Sequence, residues 1–371
     1  MKFKSIKKEH NVFTDTQLIE SEAIDQFKSA MNQEFVVKGA LMPDCHAGYS
    51  LPIGSVVATD NFILPSWVGY DIGCGMCALP LSVKKEAIIE NKDKIFNSIY
   101  RSIPTGFSHN NKNSEWTIIP DKTKAAAEIF NKNGLKQLAS LGGGNHFIEI
   151  GYDESSKIWI IIHSGSRGIG HAVASHYMRL ASGTTKAKEG HYGFRADSNE
   201  GRDYITDLNF CLEFALENRK QMIQRVEKEI NYYCGGSGDW SQLINRNHNH
   251  AEMKDGLWIH RKGATHAENG MMGVIPGNMR DGSFIVRGKG NVDAISSSSH
   301  GVGRVLSRKK AKEILSIVDF ENSMGEVKAR VEQSTLDESP FAYKNIFEVM
   351  EQQKDLVEIV EYVKPLINIK G

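Results

Sequence analysis

A mixed α/β fold is predicted by three features of the 371-residue sequence. Segments with helical apolar period alternate with short runs rich in Val, Ile and Trp. No long linker or low-complexity tract separates them. No fixed-period repeat is present, which argues against a solenoid or propeller.

In chain order, residues 55–59 read as a strand. Residues 84–103 read as an amphipathic helix stopped by Pro104, whose ring cannot continue it. Residues 123–138 read as a second helix. The strongest strand signal is 157–163, built on Ile158-Trp159-Ile160-Ile161-Ile162. The clearest helix runs over about 203–233, where Tyr204, Leu208, Cys211, Ala215, Met222, Val226 and Ile230 mark one buried stripe. Gly235-Gly236 then ends it. Strands are expected at 257–260 and 283–287, a helix at 342–353, and an extended segment at 358–369.

Hydrophobic residues make up 40% and charged residues 24% of the chain, enough for a sizeable core, so disorder is excluded as the dominant state. A soft prior of ~150 residues per domain gives about two domains or one large one. The 45 Lys+Arg balance the 45 Asp+Glu, which excludes a wholly basic nucleic-acid coat and leaves room for a local basic cleft. Met1-Lys2-Phe3-Lys4 is basic, but no apolar run follows it, and 158–162 is far shorter than the ~20 residues of a membrane span. Five cysteines, an odd number, do not make a disulfide framework, so a reducing cytoplasm is the expected compartment.

Candidate metal ligands and glycines gather in five places: 42–49 (Met-Pro-Asp-Cys-His-Ala-Gly-Tyr), 69–75 (Gly-Tyr-Asp-Ile-Gly-Cys-Gly), 142–147 (Gly-Gly-Gly-Asn-His-Phe), 163–168 (His-Ser-Gly-Ser-Arg-Gly) and 247–250 (Asn-His-Asn-His). A single histidine beside a glycine is more often a turn or core residue than a ligand. Five such clusters outside the helical stripes reverse that balance, because small neighbours leave room for an ion and a substrate. Asp, Cys and His together suit a borderline transition metal, and one thiolate can bridge two ions. In Cys74-Gly75-Met76-Cys77 the spacing fits zinc or redox chemistry, but without a second pair Cys77 is better read as packing in an apolar strand.

The glycine run 142–144 can present backbone N–H groups to an anion, with Ser164, Ser166 and Arg167 as further donors. Residues 261–262 and 304–310 are basic patches that suit a nucleic-acid backbone or a solvated helix face. His300, between a serine run and two glycines with Arg304 beyond, fits a metal ligand, a general base, a nucleophile or a plain turn residue.

Taken together, the strings at 42–48, 69–75, 141–149, 163–170, 248–249, 260–265, 275–277, 300–310, 342–344 and the terminal Lys370-Gly371 resemble, in order and across nearly the whole chain, the RtcB family of RNA-splicing ligases. The resemblance implies one large α/β domain over 1–371 with a central β-sandwich-like core flanked by helices, overriding the two-domain prior. It implies an enzyme that joins an RNA 3′-phosphate or 2′,3′-cyclic phosphate end to a 5′-hydroxyl end, using GTP and two Mn²⁺ ions. Cys74 would bridge the ions, one completed by His163 and His248 and the other by Asp71 and His146. His300 matches the histidine that becomes guanylylated. Asn145, Glu149, Asn278, Ser283, Gly301, Gly303, Tyr343 and Lys370 would surround the nucleotide, and Arg167 and Arg304 would meet RNA.

The sequence also departs from the family pattern. Gly73 stands in place of a usual Asn, Met76-Cys77 in place of an Arg, Asn278 in place of a Ser, and His266 in place of an Arg. These changes are expected to thin the cationic lining and alter RNA-end preference, as in a shorter, specialised repair branch rather than a general tRNA-splicing enzyme. His250 is the rival of His248, which Asn249 follows as in the family. A metal-dependent RNA-end phosphoesterase and an RNA-end-binding repair factor without ligation are the competing readings.

Overall fold

The computed structural model describes residues 8–371; the basic run 1–4 lies outside them. The first strands in chain order are β1 (Glu9–Val12), β2 (Val36–His46), β3 (Ile53–Thr59), β4 (Phe62–Ile63), β5 (Gly75–Leu81), β6 (Phe147–Tyr152), β7 (Ile158–Ser164) and β8 (Phe194–Arg195). They are followed by β9 (Ile244–Asn247), β10 (Asn249–Lys254), β11 (Leu257–Lys262), β12 (Ala264–His266), β13 (Met272–Pro276), β14 (Ser283–Gly288), β15 (Ser297–Ser299) and β16 (Val357–Lys370). The mixed α/β class expected from the sequence is the one observed.

Seven strands form one antiparallel sheet in the order β13-β14-β16-β6-β7-β5-β9. Side chains alternate between its faces, as the period of a strand requires. Met76, Ala78, Phe147, Trp159, Ile161, Ile244, Val274, Ile285 and Val363, drawn from all seven strands, pack together on one face. Enclosing that cluster curls the sheet until its edges, β13 and β9, come into contact, so it is nearly closed. The alternate residues, including Cys77, Leu79, Ile148, Ile160 and Ile162, face outward against the helices. Met222, Ile223, Val226 and Ile230 of the long helix Asn199–Cys234 meet them there.

A five-stranded sheet, β1-β2-β3-β11-β10, is antiparallel except for the β1–β2 pair. Ala40, Val56, Ala58 and Ile259 from this sheet share a core with Ile275, Phe284 and Val286 from β13 and β14 and with Val349 of helix Ile346–Gln352. That common apolar layer joins the two sheets. Two short pairs, β12–β15 and β4–β8, complete the pairing.

The expected helix at 84–103 is two helices, Lys85–Glu90 and Lys92–Ser102, because Asn91 leaves helical geometry (φ −106°, ψ 12°). The helix expected at 123–138 is Lys124–Gln137, started by Thr123, whose hydroxyl accepts from the Ala126 N–H. The long helix begins earlier than its apolar stripe because Ser198 caps it, accepting from the Gly201 N–H at 3.0 Å. The helix expected at 342–353 is shorter, Ile346–Gln352, with Asn345 as its cap. All five cysteines are free, and Cys77 packs in the core as the sequence suggested.

Ile160 is fully buried between β7 and the long helix. Ile160→Ala is expected to lower the unfolding free energy by about 2–5 kcal/mol, read as a shifted urea midpoint at unchanged slope.

Candidate active site

The turn after helix Pro65–Val68 carries Asp71 and delivers Cys74 to the start of β5. Strand pairing then places His163 of β7 beside β5, while His146 immediately precedes β6 and His248 separates β9 from β10. Four of these side chains are buried: Cys74, His146, His163 and His248. The Cys74 sulfur lies 3.4 Å from His146 Nε2 and 3.2 Å from His163 Nε2. His163 Nε2 lies 3.2 Å from His248 Nε2, and His146 Nε2 lies 3.0 Å from Asp71 Oδ2. The five expected ligands are therefore brought together.

This donor set fits a cation. His146 Nδ1 faces the Leu141 carbonyl at 3.0 Å and His163 Nδ1 faces that of Asn145 at 3.2 Å, which assigns the proton to Nδ1 and leaves Nε2 as a lone pair. Burial, reinforced by neighbouring positive groups, holds His163 and His248 well below the ordinary histidine range, so both are neutral at physiological pH. His163 Nε2 therefore faces both His248 Nε2 and the Cys74 sulfur as an acceptor. Burial and then the Asp71 carboxylate push the Cys74 thiol well up, so thiolate character there calls for a cation. Cys74, His146 and His163 each offer a donor within 4.8 Å of the others.

One guanidinium fixes much of this arrangement. Arg219, fully buried on the long helix, donates to the Gly73 carbonyl at 2.7 Å, the Ser164 carbonyl at 2.8 Å and the Asn247 side chain at 2.7 Å. It thereby ties the segments that carry Cys74, His163 and His248. Sequence reading missed Arg219, although it falls between Ala215 and Met222 within the apolar stripe, where a charge has no solvent. Gly142 (φ +97°) is required by close approach, since a Cβ there would come within 2.4 Å of both His146 and Arg167.

His300 stands at the same centre, its ring centroid 4.8 Å from that of His248. Its Nδ1 is 2.6 Å from Asp44 Oδ2, and the same oxygen accepts the His300 and Gly301 backbone N–H groups. Burial acts to raise the Asp44 carboxyl, but the His300 ring and Ser299 hold it below the usual range, so it is anionic. Nε2 is therefore the ring atom left for chemistry. Asp44 lies in a sequence cluster singled out above, but its role as the partner of His300 is visible only in three dimensions.

A cavity of about 280 Å³ opens beside His300 and is lined by Asn145, Glu149, Asn278, Ser283, Gly301, Gly303, Tyr343 and Lys370. Every residue expected around a nucleotide is thus in one place. Glu149 accepts from Ser283 at 3.0 Å and from Asn368 at 3.2 Å, and burial pushes its carboxyl up to about 7. The Asn278 carbonyl oxygen accepts the N–H groups of Arg280 and Asp281, bracing the turn at the cavity edge. A buried carboxylate that sequence reading missed, Glu338, binds Lys370 at 2.6 Å, Tyr343 at 2.7 Å and Arg308 at 2.6 Å. Arg304 also lines this cavity, bound to Tyr343 and Glu338. Arg167 lies elsewhere, in a second cavity that opens on Asp71 and His146.

The family model described as "tRNA-splicing ligase RtcB" matches residues 26–128 and 114–371. The chain is similar to the RNA-splicing ligase RtcB of Escherichia coli (strain K12), with 34% identity over 388 aligned residues and 95% of each chain covered. The chain belongs to the RtcB family. It is also similar to the tRNA-splicing ligase RtcB of Nanoarchaeum equitans, at 29% identity covering 92% of this chain and 90% of that one. The corresponding enzyme of Thermococcus kodakarensis is 26% identical over 453 aligned positions, so that archaeal relative carries segments this 371-residue RtcB-family chain lacks.

The residues expected to depart from the RtcB pattern have distinct local settings. Gly73 has φ +74°, and a Cβ there would lie 2.7 Å from the Cβ of Ala215 on the long helix. Met76 points into the interior of the seven-stranded sheet, on the face it shares with its cross-strand partner His163, and packs there. His266 stacks on His250 with ring centroids 4.5 Å apart, next to Glu252 and Glu268. This second histidine–carboxylate group already contains a cation: the buried Arg261 guanidinium contacts Glu252 and sits 3.2 Å from His250 Nε2. His248, not His250, joins the ligand cluster.

Cys74→Ala removes the donor that touches both sides of the cluster, and bound divalent metal per chain is expected to fall in elemental analysis after dialysis. Glu149 gives a pH signature. Its folded value near 7 stands above the ordinary 4.5, so its contribution to stability is present at low pH and lost as pH rises through 7. Relative to Glu149→Gln, the unsubstituted protein is expected to lose up to about 3 kcal/mol between pH 5 and 8, read by denaturant titration.

Proposed function

We propose that this RtcB-family protein is a GTP- and Mn²⁺-dependent RNA ligase, acting as one domain over 1–371. It joins RNA 3′-phosphate or 2′,3′-cyclic phosphate ends to 5′-hydroxyl ends, in RNA repair or tRNA processing. The observation that carries this reading is the Asp44–His300 pair, set between the ligand cluster and the nucleotide-sized cavity.

With Nδ1 held by an anionic carboxylate, His300 presents Nε2 to the α-phosphate of GTP. Attack forms the P–N bond as the P–O bond to pyrophosphate breaks, and Asp44 stabilises the positive charge that the ring acquires. Gly301 and Gly303 let the nucleotide approach the backbone, while Lys370, Tyr343 and Arg304 hold its polar groups. Once water has opened any cyclic end, breaking its P–O2′ bond, an RNA 3′-phosphate oxygen takes the guanylyl group from His300, breaking the P–N bond. Attack by the 5′-hydroxyl on the activated phosphate forms the new phosphodiester, expels GMP and releases the hydroxyl proton. Two Mn²⁺ ions held by Cys74, with Asp71 and His146 on one side and His163 and His248 on the other, would neutralise phosphate charge during these steps. Free thiols fit a reducing cytoplasm, and among the described residues no helix is long and apolar enough to cross a membrane.

Incubation with α-³²P-labelled GTP and Mn²⁺ is expected to leave an acid-labile label on the His300 peptide. His300→Ala is expected to abolish it while metal content stays largely intact, because the ring is not among the ligands. Label retained in that variant would refute the nucleophile. An unlabelled but metal-loaded parent that hydrolyses RNA-end phosphates would favour the phosphoesterase, and one that only binds ends a repair factor without ligation.

A further inference from the structure

The second cavity, about 590 Å³, has a feature that neither GTP nor the ligand cluster requires. Phe107, at 107% relative exposure, stands free at its rim. Single exposed apolar residues are common on protein surfaces and carry no meaning alone. Phe107 differs in being held in place. Gly106 donates to the Gly142 carbonyl at 2.8 Å and its own carbonyl accepts from Arg167, while the Ser108 N–H donates to Thr105 at 3.0 Å. Beyond the ring, the Asn110 N–H donates to the Lys136 carbonyl at 2.9 Å, so the loop is tied to the body of the protein on both sides of Phe107.

The rest of the lining has one character. The Tyr70 and His171 rings stack with centroids 4.9 Å apart at 20°, giving a second flat surface in the same cavity. His109 lines it as well. The Arg167 guanidinium spends Nε on Ser140 at 3.0 Å and Nη2 on Gly106, is held against Gly142, and lines the cavity. The floor is Asp71 and His146, two of the expected ligands. Flat rings around a cationic base beside a phosphate-handling centre complement a nucleobase joined to a phosphate.

We infer that this cavity seats one terminal nucleotide of the RNA, its base stacked on Phe107 and its phosphate at Arg167. The inference rests on the ligase reading and deepens it, because Phe107 becomes a specificity-determining residue. Stacking is tolerant of base identity, so the seat selects an unpaired end over a duplex end and does not select sequence. The nucleotide can come from the 3′-phosphate strand or from the 5′-hydroxyl strand, which share this chemistry.

Two short single-stranded RNAs distinguish the sources, one with 2-aminopurine as the last base before a 3′-phosphate and one with it as the first base after a 5′-hydroxyl. Addition of the full-length protein with Mn²⁺ is expected to quench the fluorescence of one of them. Phe107→Ala is expected to weaken binding of that strand by roughly 5- to 150-fold, and Phe107→Trp to restore it. Quenching of neither strand, or binding unchanged in Phe107→Ala, would overturn the seat. Guanylylation of the unsubstituted protein, read in parallel, tells the failures apart: no label on His300 sinks the ligase reading, whereas label without quenching sinks only the seat.

Discussion

Two neutral imidazole nitrogens facing each other at 3.2 Å, with a thiol at a similar distance, make an arrangement that a folded chain does not adopt for its own stability. Each group is buried, and the protonated Cys74 thiol is only a weak donor to these ring nitrogens, so a cation that displaces its proton would satisfy several lone pairs at once. The surrounding structure supplies the restraint. Carbonyls of Leu141 and Asn145 orient two of the rings from behind, and Arg219 reaches from the long helix to fasten the segments that bear Cys74, His163 and His248. Burying a guanidinium is costly unless its hydrogen bonds are met, and here Nε and both terminal nitrogens have acceptors. The long helix is thus part of the site although it contributes no ligand.

The second requirement is that the two sheets hold a common register. The candidate ligands sit on or beside the seven-stranded sheet, His248 in the turn that leaves its edge strand β9 for β10. Asp44, which orients His300, belongs to β2 of the other sheet, and His300 follows β15. A relative shift of about an ångström would lengthen the 2.6 Å Asp44–His300 contact beyond strong hydrogen bonding. The apolar layer shared by β2, β3, β11, β13 and β14 resists that shift, since interdigitated side chains slide only by breaking their packing. Core packing and site geometry are therefore one constraint here.

Much of the site was legible because its chemistry is local in sequence. Asp71 and Cys74 share one glycine-rich turn, and His146 and His163 flank two adjacent strands, so types and spacing already marked them. The strand at 157–163 and the long helix were legible through their periodicities. What escaped depends on tertiary contact. The break at Asn91 interrupts an unbroken apolar period, and Glu338 joins Lys370, Tyr343 and Arg308 only after folding. Arg219 was missed through attention to what the stripe contains and not to what interrupts it. Arg304 and Arg167 read alike as basic residues near glycines, yet the fold sends them to different cavities.

The departures from the family pattern divide along the same line. Gly73 and Met76 answer to packing, one against Ala215 of the long helix and the other inside the curled sheet, and neither withdraws a group from the ligand cluster. Asn278 keeps a polar side chain at the nucleotide cavity but uses it to brace its own turn. His266 joins a network in which Arg261 also donates to Ser297 at 2.9 Å, on the strand that ends immediately before His300. An arginine at 266 would bring a further fixed positive charge beside Arg261, whereas His266 Nδ1 lies 3.3 Å from the Glu268 carboxylate. Gly73 and Met76 thus meet local packing demands, and Arg167 lines the cavity that opens on Asp71 and His146.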